Sequence, residues 1–398
     1  MDLKDVVVVS AQRSPMGLFG GSMKDMSALD IGAQVIRKTL DKVNLKPEMV
    51  DMTVFGNCRQ AGNGVNPARI AAEYAGIPVD RYAHTVNTAC PTGIKALILA
   101  SQDIRCGDGE VIVAGGMESM STIPYLLTGY RWKGFRLGDV KLMDGWNDTI
   151  DKIAGIPMGM TAENVAEKYN ISREDQDQFA YESHMKASKA QKAGLFKEEI
   201  VPIDVPAVGK TEGFLFEADE CIRHNASIEG FAKLKPAFRR DGKGTVTAGN
   251  ACGMPDGSAA MVVMSRGKAK SLGLDPLFSI VSYSNAAVDN AYMGIGPSES
   301  IPIALKRGGL TVDDIDAFEI NEAFAATNLA CERLLKIDHE KHNINGGAIS
   351  LGHPTGCSGA RILVTLYNVL KQKNKELGAA SLCGGGGVSC AMVIKREK

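Results

Sequence analysis

Net charge is what this chain most lacks: 45 lysine and arginine residues stand against 46 aspartate and glutamate residues, a balance of -1 over 398 residues. A dedicated nucleic-acid binder is excluded, because its affinity would rest on a basic excess that neutralises many phosphates. No apolar run is long enough to span a bilayer. The N-terminus enters an apolar stretch at once (Val6 to Val9), without a charged start and long apolar core or an Arg-rich transit segment, and the tail Ile394-Lys-Arg-Glu-Lys398 matches no retention signal. The expectation is a cytoplasmic protein with no membrane partner. Its nine cysteines include no Cys-x-x-Cys pair, which argues against a disulfide framework or structural zinc and for reduced thiols. Cys58, Cys106, Cys221, Cys331 and Cys390 are expected to be small core residues. No Gly-x-Gly-x-x-Gly occurs, so a dinucleotide fingerprint is missing. The run Gly209-Lys210-Thr211 resembles the end of a phosphate loop, but Asp204 stands where that loop needs glycine.

What the chain does have is the balance of an ordinary globular protein, 44% apolar and 23% charged, with length enough for two core-forming units. Short β-prone runs alternate with helical patterns at both ends, the signature of an α/β fold. Strands are expected over 6–11, 52–56, 83–87 and 110–114, with helices from about Ser27, Asn66 and Pro91. The last third repeats the scheme, with strands over 278–283, 316–320, 343–345, 379–383 and 388–394 and helices over 299–308, 322–335 and from about 355. Three landmarks recur at nearly constant offset: Leu45 to Asp51 resembles Leu310 to Asp316 at 265, Cys90-Pro-Thr-Gly93 returns as His353-Pro-Thr-Gly356 at 263, and Gly115-Gly116 returns as Gly384-Gly385 at 269. Any one match is weak; together they indicate a duplication. The expected partition is a first half over 1–119 completed by about 246–272, an insertion over 120–245, and a second half over 273–398. The insertion holds one clear helix, capped by Ser172 with Asp175 and stopped by Gly194. It also has a basic stretch, 221–243, with Arg223, Lys233, Lys235, Arg239, Arg240 and Lys243 against Glu229 and Asp241. That excess suits a phosphate-bearing ligand and equally a solvated face.

The repeated tetrapeptide puts a nucleophile and a base at equivalent strand-to-helix corners. A helix N-terminus with a nearby imidazole lowers a thiol's pKa, so Cys90 is the candidate nucleophile and His353 its base. Pro91 is placed at the first helical position, where its missing N–H is harmless and the N–H of Cys90 stays available for an oxyanion. Cys383 precedes Gly384-Gly385-Gly386-Gly387, and a second thiol there is able to move a proton to or from carbon.

Over essentially its whole length the chain resembles the thiolases, acetyl-CoA C-acyltransferases. The resemblance rests on Val86-Asn-Thr-Ala-Cys90, Gly115-Gly-Met-Glu-Ser-Met120, Met158-Gly-Met-Thr-Ala-Glu-Asn164, Lys235-Pro-Ala-Phe238, Thr247-Ala-Gly-Asn250, Asn321-Glu-Ala-Phe324, the Gly-His-Pro-x-Gly block and Cys383-Gly-Gly-Gly386. It implies duplicated halves layered αβαβα with an α-rich loop domain inserted over the site. It implies Cys90 as the acylated residue, His353 as base and Cys383 as handler of the α-proton. One oxyanion hole would come from His353 and, through water, Asn321; the other from the N–H groups of Cys90 and Gly385. Coenzyme A and acyl-CoA enter as substrates, with no permanently bound cofactor and no metal. Arg223 would meet the ADP end, Ala248 and Cys252 the pantetheine, and Met158, Phe238, Met293 and Phe324 the pantetheine and acyl groups. The implied reaction joins two acetyl-CoA into acetoacetyl-CoA and CoA, or thiolyses a short 3-oxoacyl-CoA. The alternatives are a ketoacyl synthase, which generally has a second histidine where Asn321 stands, and a non-catalytic acyl-CoA or lipid binder. Dimers or tetramers are implied, with 125–145 as a tetramer-forming loop. The chain departs from the usual pattern at Pro91, Thr92, Pro157, Cys252 and Cys357, which leaves the catalytic set intact. A thiol is a weaker hydrogen-bond partner than a hydroxyl, so Cys252 bears on how pantetheine is held.

Overall fold

A computed structural model describes residues 5–146 and 150–397; residues 1–4, 147–149 and 398, at the ends of the expected halves and within the insertion, lie outside the described part. Nine strands run in the spatial order Ala317–Ile320, Leu377–Gly384, Val388–Arg396, Phe278–Ala287, Val6–Arg13, Gly257–Ser265, Val111–Glu118, Met52–Gly56, Tyr82–Val86. Val6–Arg13 and Phe278–Ala287 share only two register pairs, Val7 with Ser279 and Val8 with Phe278, so the sheet is two half-sheets joined at a narrow seam.

The half-sheets repeat about that seam. In the first, the strand at the seam pairs antiparallel with Gly257–Ser265, which pairs antiparallel with Val111–Glu118, which reaches Met52–Gly56 by a parallel contact with that strand. In the second, Phe278–Ala287, Val388–Arg396, Leu377–Gly384 and Ala317–Ile320 follow the same sequence of pairings. The halves differ at one connection. Gly384 turns into Val388 through three glycines, whereas Glu118 leaves for the whole insertion before Gly257 resumes the sheet.

Burial explains why several strands read as unbroken apolar runs: every residue of Val6–Arg13, Val111–Glu118 and Gly257–Ser265 is buried, as expected of sheets covered on both faces. Helices Ala28–Asp41 and Pro67–Tyr74 cover one half-sheet, and Gly296–Gly308 with Ala325–Leu335 cover the other. Thr92–Cys106 and Thr355–Gln372 lie between, in one cluster with side chains from both half-sheets. The layers are therefore α, β, α, β, α. Local signals start the helices: Ser27, Asn66 and Ser172 accept N-cap hydrogen bonds from Asp30, Arg69 and Asp175, each cap worth about 1 kcal/mol.

Several sequence expectations shift. Cys106, expected in the core, is exposed, and Cys58 and Cys221 are only partly buried. The central strand Gly257–Ser265 forms where no strand is expected. The strand expected over 343–345 does not form; a single bridge, Phe318 with His342, stands in its place. Asn343 adopts φ +44°, and its amide satisfies the strand edge itself, accepting from Ile320 N–H at 3.0 Å and donating to Ile320 O at 2.9 Å. The helix expected from Pro91 begins at Thr92 with Pro91 as cap, and the helix expected from 322 begins at Ala325.

Candidate active site

The strand Tyr82–Val86 ends in a tight corner, Asn87-Thr88-Ala89, in which Ala89 takes a left-handed φ of +56° before Cys90. A non-glycine residue there is uncommon and marks a constrained turn. Thr92 ties the corner down: its Oγ1 accepts from Thr88 N–H at 2.8 Å, and its own N–H donates to Ala89 O at 3.0 Å. Cys90 is thereby held half-buried at the mouth of the Thr92–Cys106 helix.

The second corner brings His353 into the same hollow, a cavity of about 660 Å³ that Cys90, His353 and Gly385 line together with Met158, Phe238, Cys252, Met293 and Phe324. His353 is 6% exposed. Its Nδ1 lies 2.6 Å from Ser358 Oγ, and that hydroxyl donates to Pro354 O at 2.9 Å. With its proton so used, Ser358 accepts from Nδ1–H, which leaves Nε2 with the lone pair that a base needs. Burial first and the Arg361 charge second push the His353 pKa down to about 3. The imidazole is therefore neutral at physiological pH.

Burial pushes the Cys90 thiol up to about 11, against the pull of the Gly385 N–H, the Arg59 charge and its own N–H. This corrects the expectation of a lowered thiol pKa: desolvation outweighs the favourable helix end and amides. The resting pair is thiol and neutral imidazole, so the proton moves during attack. Cys383, 2% exposed, packs with Met158, Met293 and Phe324; burial raises its thiol pKa well above the ordinary value, with the sulfur of Cys90 adding to the shift. Asn321 is 2% exposed and sits just past the strand Ala317–Ile320, its N–H on Ser381 O at 3.0 Å. Both polar atoms of its side chain find no hydrogen-bond partner among the described residues.

One carboxylate ties the second corner to the loop after the strand Met52–Gly56 of the first half. Glu118, fully buried at the end of its strand, accepts from Asn57 Nδ2 (2.6 Å) and the N–H groups of Cys58 (3.1 Å) and Arg59 (3.0 Å) on one side. On the other it accepts from Thr355 Oγ1 (2.7 Å) and Gly356 N–H (2.9 Å). Burial raises its pKa and these donors oppose the rise. Sequence reasoning assigns Glu118 no role, although it stands in the Gly115 to Met120 motif; a lone acid at the end of an apolar strand is the signal that points to it. Ser358 carries no signal beyond its spacing from His353.

The remaining expected residues divide. Phe238 and Phe324 meet edge to face at 6.3 Å, forming with Met158 and Met293 an apolar wall. Arg223 lines a separate hollow of about 470 Å³ with His224, Ser227 and Phe231. Ala248 is exposed and lines neither hollow, because its neighbours turn inward: Asn250 accepts from Thr247 N–H at 2.8 Å and donates to Asp177 at 2.9 Å. Within the basic stretch, Arg239 is paired with Glu167 and Asp241, so part of that charge is already neutralised.

A half-buried thiol and a neutral imidazole line one hollow, with amide donors at the sulfur and an apolar wall alongside, on a duplicated α/β fold, an arrangement of the kind that cysteine-dependent acyl transfer uses. The thiolase N-terminal domain matches residues 6–267 and the thiolase C-terminal domain residues 274–396; the chain belongs to the thiolase family. It is 49% identical to the acetyl-CoA acetyltransferase of Cupriavidus necator, over 99% of this chain and 100% of that one. It is 48% identical to a probable acetyl-CoA acyltransferase of Staphylococcus epidermidis, over 98% of each. Among solved structures it is similar to the Bacillus anthracis acetyl-CoA acetyltransferase (TM-score 0.96, 44% identity, 99% of each chain). It is also similar to human mitochondrial 3-ketoacyl-CoA thiolase (TM-score 0.95, 40% identity, 100% of each chain).

Proposed function

We propose that this protein is an acetyl-CoA C-acyltransferase that joins two acetyl-CoA into acetoacetyl-CoA and CoA, and runs the reverse thiolysis on short 3-oxoacyl-CoA. The observation that carries the reading is the convergence of Cys90, His353 and Gly385 on one apolar hollow. In the first half-reaction the Cys90 sulfur attacks the thioester carbonyl while His353 Nε2 takes the thiol proton. The oxyanion forms against the N–H groups of Cys90 and Gly385, and CoA leaves as its thiol with a proton supplied by Cys383, which becomes a thiolate while His353 keeps the Cys90 proton on Nε2. In the second, the Cys383 thiolate removes an α-proton from a new acetyl-CoA, whose enolate oxygen lies against the protonated Nε2 of His353 and, through water, Asn321. The enolate carbon attacks the acetyl carbonyl on Cys90, the carbon–carbon bond forms and the Cys90 sulfur departs, taking back its proton from His353. One site serves both steps, so the kinetics are ping-pong.

The insertion 120–245 is assigned to holding coenzyme A, with Arg223 toward the ADP end, Cys252 and Ala248 toward the pantetheine, and the Met158, Phe238, Met293 and Phe324 wall around the pantetheine and acyl groups. Coenzyme A serves as substrate and no cofactor stays bound. The cell location that fits these substrates is the cytosol; among the described residues no helix is long and apolar enough to cross a membrane. Self-association into a dimer or tetramer is assigned in part to the arm over 125–145, where Trp132, Phe135 and Leu137 are 92%, 71% and 108% exposed, an apolar display that suits an interface.

The test is mass. Intact wild type incubated with acetyl-CoA should gain one acetyl group, located on Cys90, and Cys90→Ser should gain none. A wild type that stays unmodified sinks the proposal.

A further inference from the structure

The glycine turn that carries the Gly385 N–H is held by a residue of the insertion that no sequence motif marks. Gly386 and Gly387 take φ of +84° and +74°, conformations that glycine alone adopts readily. Such a turn has no side chains of its own to fix it. It is tied on one side by Val288 N–H donating to Gly387 O at 2.8 Å. On the other, Gly386 N–H donates to Asp151 Oδ2 at 2.8 Å.

Asp151 is built to make that contact. It is 5% exposed and lines the same hollow as Cys90 and His353. Its loop closes on itself through a bridge between Ile150 and Pro157, with Asp151 N–H donating to Ile156 O at 2.9 Å and Gly155 N–H to Asp151 O at 2.8 Å. Oδ1 accepts from the N–H groups of Ile153 and Ala154, both at 2.8 Å. Oδ2 is left to face Gly386 N–H and, at 3.4 Å, Asn290 Nδ2. Although burial favours the neutral acid, these donors together bring the Asp151 pKa below the usual carboxylate value, so a charged acceptor is present at neutral pH.

We propose that Asp151 is a positioning residue that orients the Gly384 to Gly387 turn, and through it the Gly385 N–H that receives the oxyanion; this rests on the role assigned above to Gly385. The peptide linking Gly385 to Gly386 is pinned by Asp151, and rotation about the two bonds of Gly385 is all that separates that peptide from the donor peptide before it. The loop that carries Asp151 also presents Ile150, Lys152 and Ile153 to the hollow. Whatever seats against that loop is therefore linked to the geometry of the oxyanion donor.

Asp151→Asn is the decisive variant. Its Oδ1 still accepts from Ile153 and Ala154, while an NH2 group replaces Oδ2 and sets a donor against the donors Gly386 N–H and Asn290 Nδ2. The single-turnover rate of Cys90 acetylation by acetyl-CoA should fall about 10- to 100-fold, somewhat less than deletion of an oxyanion donor, with KM changed less than about threefold. Because the Gly385 N–H pulls the Cys90 pKa down, the pH profile of Cys90 alkylation by iodoacetamide, read on the Cys90 peptide, should move to higher pH. A residue that merely staples its own loop would leave that profile in place or, through loss of its charge, move it to lower pH. Asp151→Asn acetylating at the wild-type rate, or slowed with a profile that is unmoved or moved to lower pH, overturns the proposal. A wild type that takes no acetyl group overturns instead the reading of the site. If Asp151→Asn does not fold, Asn290→Ala decides: it strips one support from Oδ2 and should shift the profile in the same direction, slowing acetylation about two- to threefold. An unmoved profile there overturns the proposal equally.

Discussion

The corners at Cys90 and His353 share three residues, Pro-Thr-Gly, and hardly any geometry. Pro91 is helical at ψ -2°, whereas Pro354 is extended at ψ 103°. Ala89 supplies the left-handed residue before the thiol, and Gly352, at φ +93°, supplies it before the imidazole, where a Cβ would press on the ring of Pro255. Thr92 turns back to its own loop at Thr88, while Thr355 crosses to Glu118 of the other half. Duplication provided two mouths of helices; one backbone torsion and one hydroxyl's partner now separate the mouth proposed as carrier from the mouth proposed as base. The glycines after the threonines diverged as well: a Cβ on Gly93 would strike the backbone of Gly359 and Ala360 in the other helix, whereas one on Gly356 would strike Met117 O and the backbone of Asn57 and Cys58.

The largest break in that comparison comes from the base. His353→Asn should slow Cys90 acetylation about 10²- to 10⁴-fold, the range for loss of a general base, as read by rapid-quench mass spectrometry. Its stability should respond to pH in a defined direction. The His353 pKa lies near 3 in the folded protein, below the unfolded value of about 6.5, so the unfolded chain binds the extra proton between those values. Stability from this group is complete above about pH 6.5 and is lost as pH falls toward 3. Urea midpoints at pH 7 and pH 5 should therefore drop more for wild type than for His353→Asn. Equal drops would mean that the imidazole is not held neutral.

The same contrast recurs at the strand ends behind the corners, at a smaller scale. Asn57 and Asn321 follow equivalent strands. Asn57 is saturated, donating to Glu118 at 2.6 Å and accepting from Asn63 at 3.2 Å; the Asn321 side chain has no such partners among the described residues. Asn57→Ala leaves a donor missing from a buried carboxylate and should cost about 1–3 kcal/mol of stability. Asn321→Ala should leave the melting temperature nearly unchanged and lower the condensation rate about 10-fold or more, with acetylation of Cys90 less affected. Loss of stability in both variants, with condensation intact in Asn321→Ala, would make the two asparagines equivalent and remove Asn321 from the site.

Much of this arrangement is legible in the amino-acid sequence, for physical reasons. A period-two burial pattern is absent from strands covered on both faces, but an unbroken apolar run such as Val6 to Val9 betrays them equally well. The repeat is legible because corners that must begin helices reuse proline, threonine and glycine. Illegible are the features that depend on which side chain substitutes for backbone. Asn343 occupies a β-prone stretch yet replaces the strand with its own amide. Glu118 and Asp151 act across long sequence distances, and no local spacing distinguishes a carboxylate that braces two halves from one in solvent. The direction of the Cys90 pKa shift is hidden for a related reason: the helix end is a local feature that sequence shows, while desolvation is tertiary.

The smallest expected effect falls on the prolines, and it sharpens the comparison most finely. Pro91 O accepts the first helical hydrogen bond, from Lys95 N–H at 2.9 Å, and its Cδ lies 2.5 Å from where a Cβ on Gly384 would be. Its ring thus touches the strand that leads into the Gly385 turn, although the oxyanion donor at this corner is the N–H of Cys90 and not that of residue 91. Pro354 O accepts from Cys357 and Ser358 N–H, both at 2.9 Å, and from Ser358 Oγ, the hydroxyl that sets the His353 tautomer. Pro91→Ala should lose about 0.4–1 kcal/mol through greater freedom of the unfolded chain and change acetylation less than about threefold. Pro354→Ala should lose a similar stability and slow acetylation more, since a carbonyl that drifts lets Ser358 turn its proton toward His353 Nδ1 and moves the lone pair away from Nε2. Melting curves and single-turnover rates on the two variants decide. If Pro91→Ala is the slower enzyme, the ring is holding Gly384 in place, and the first corner positions the oxyanion turn as well as the nucleophile.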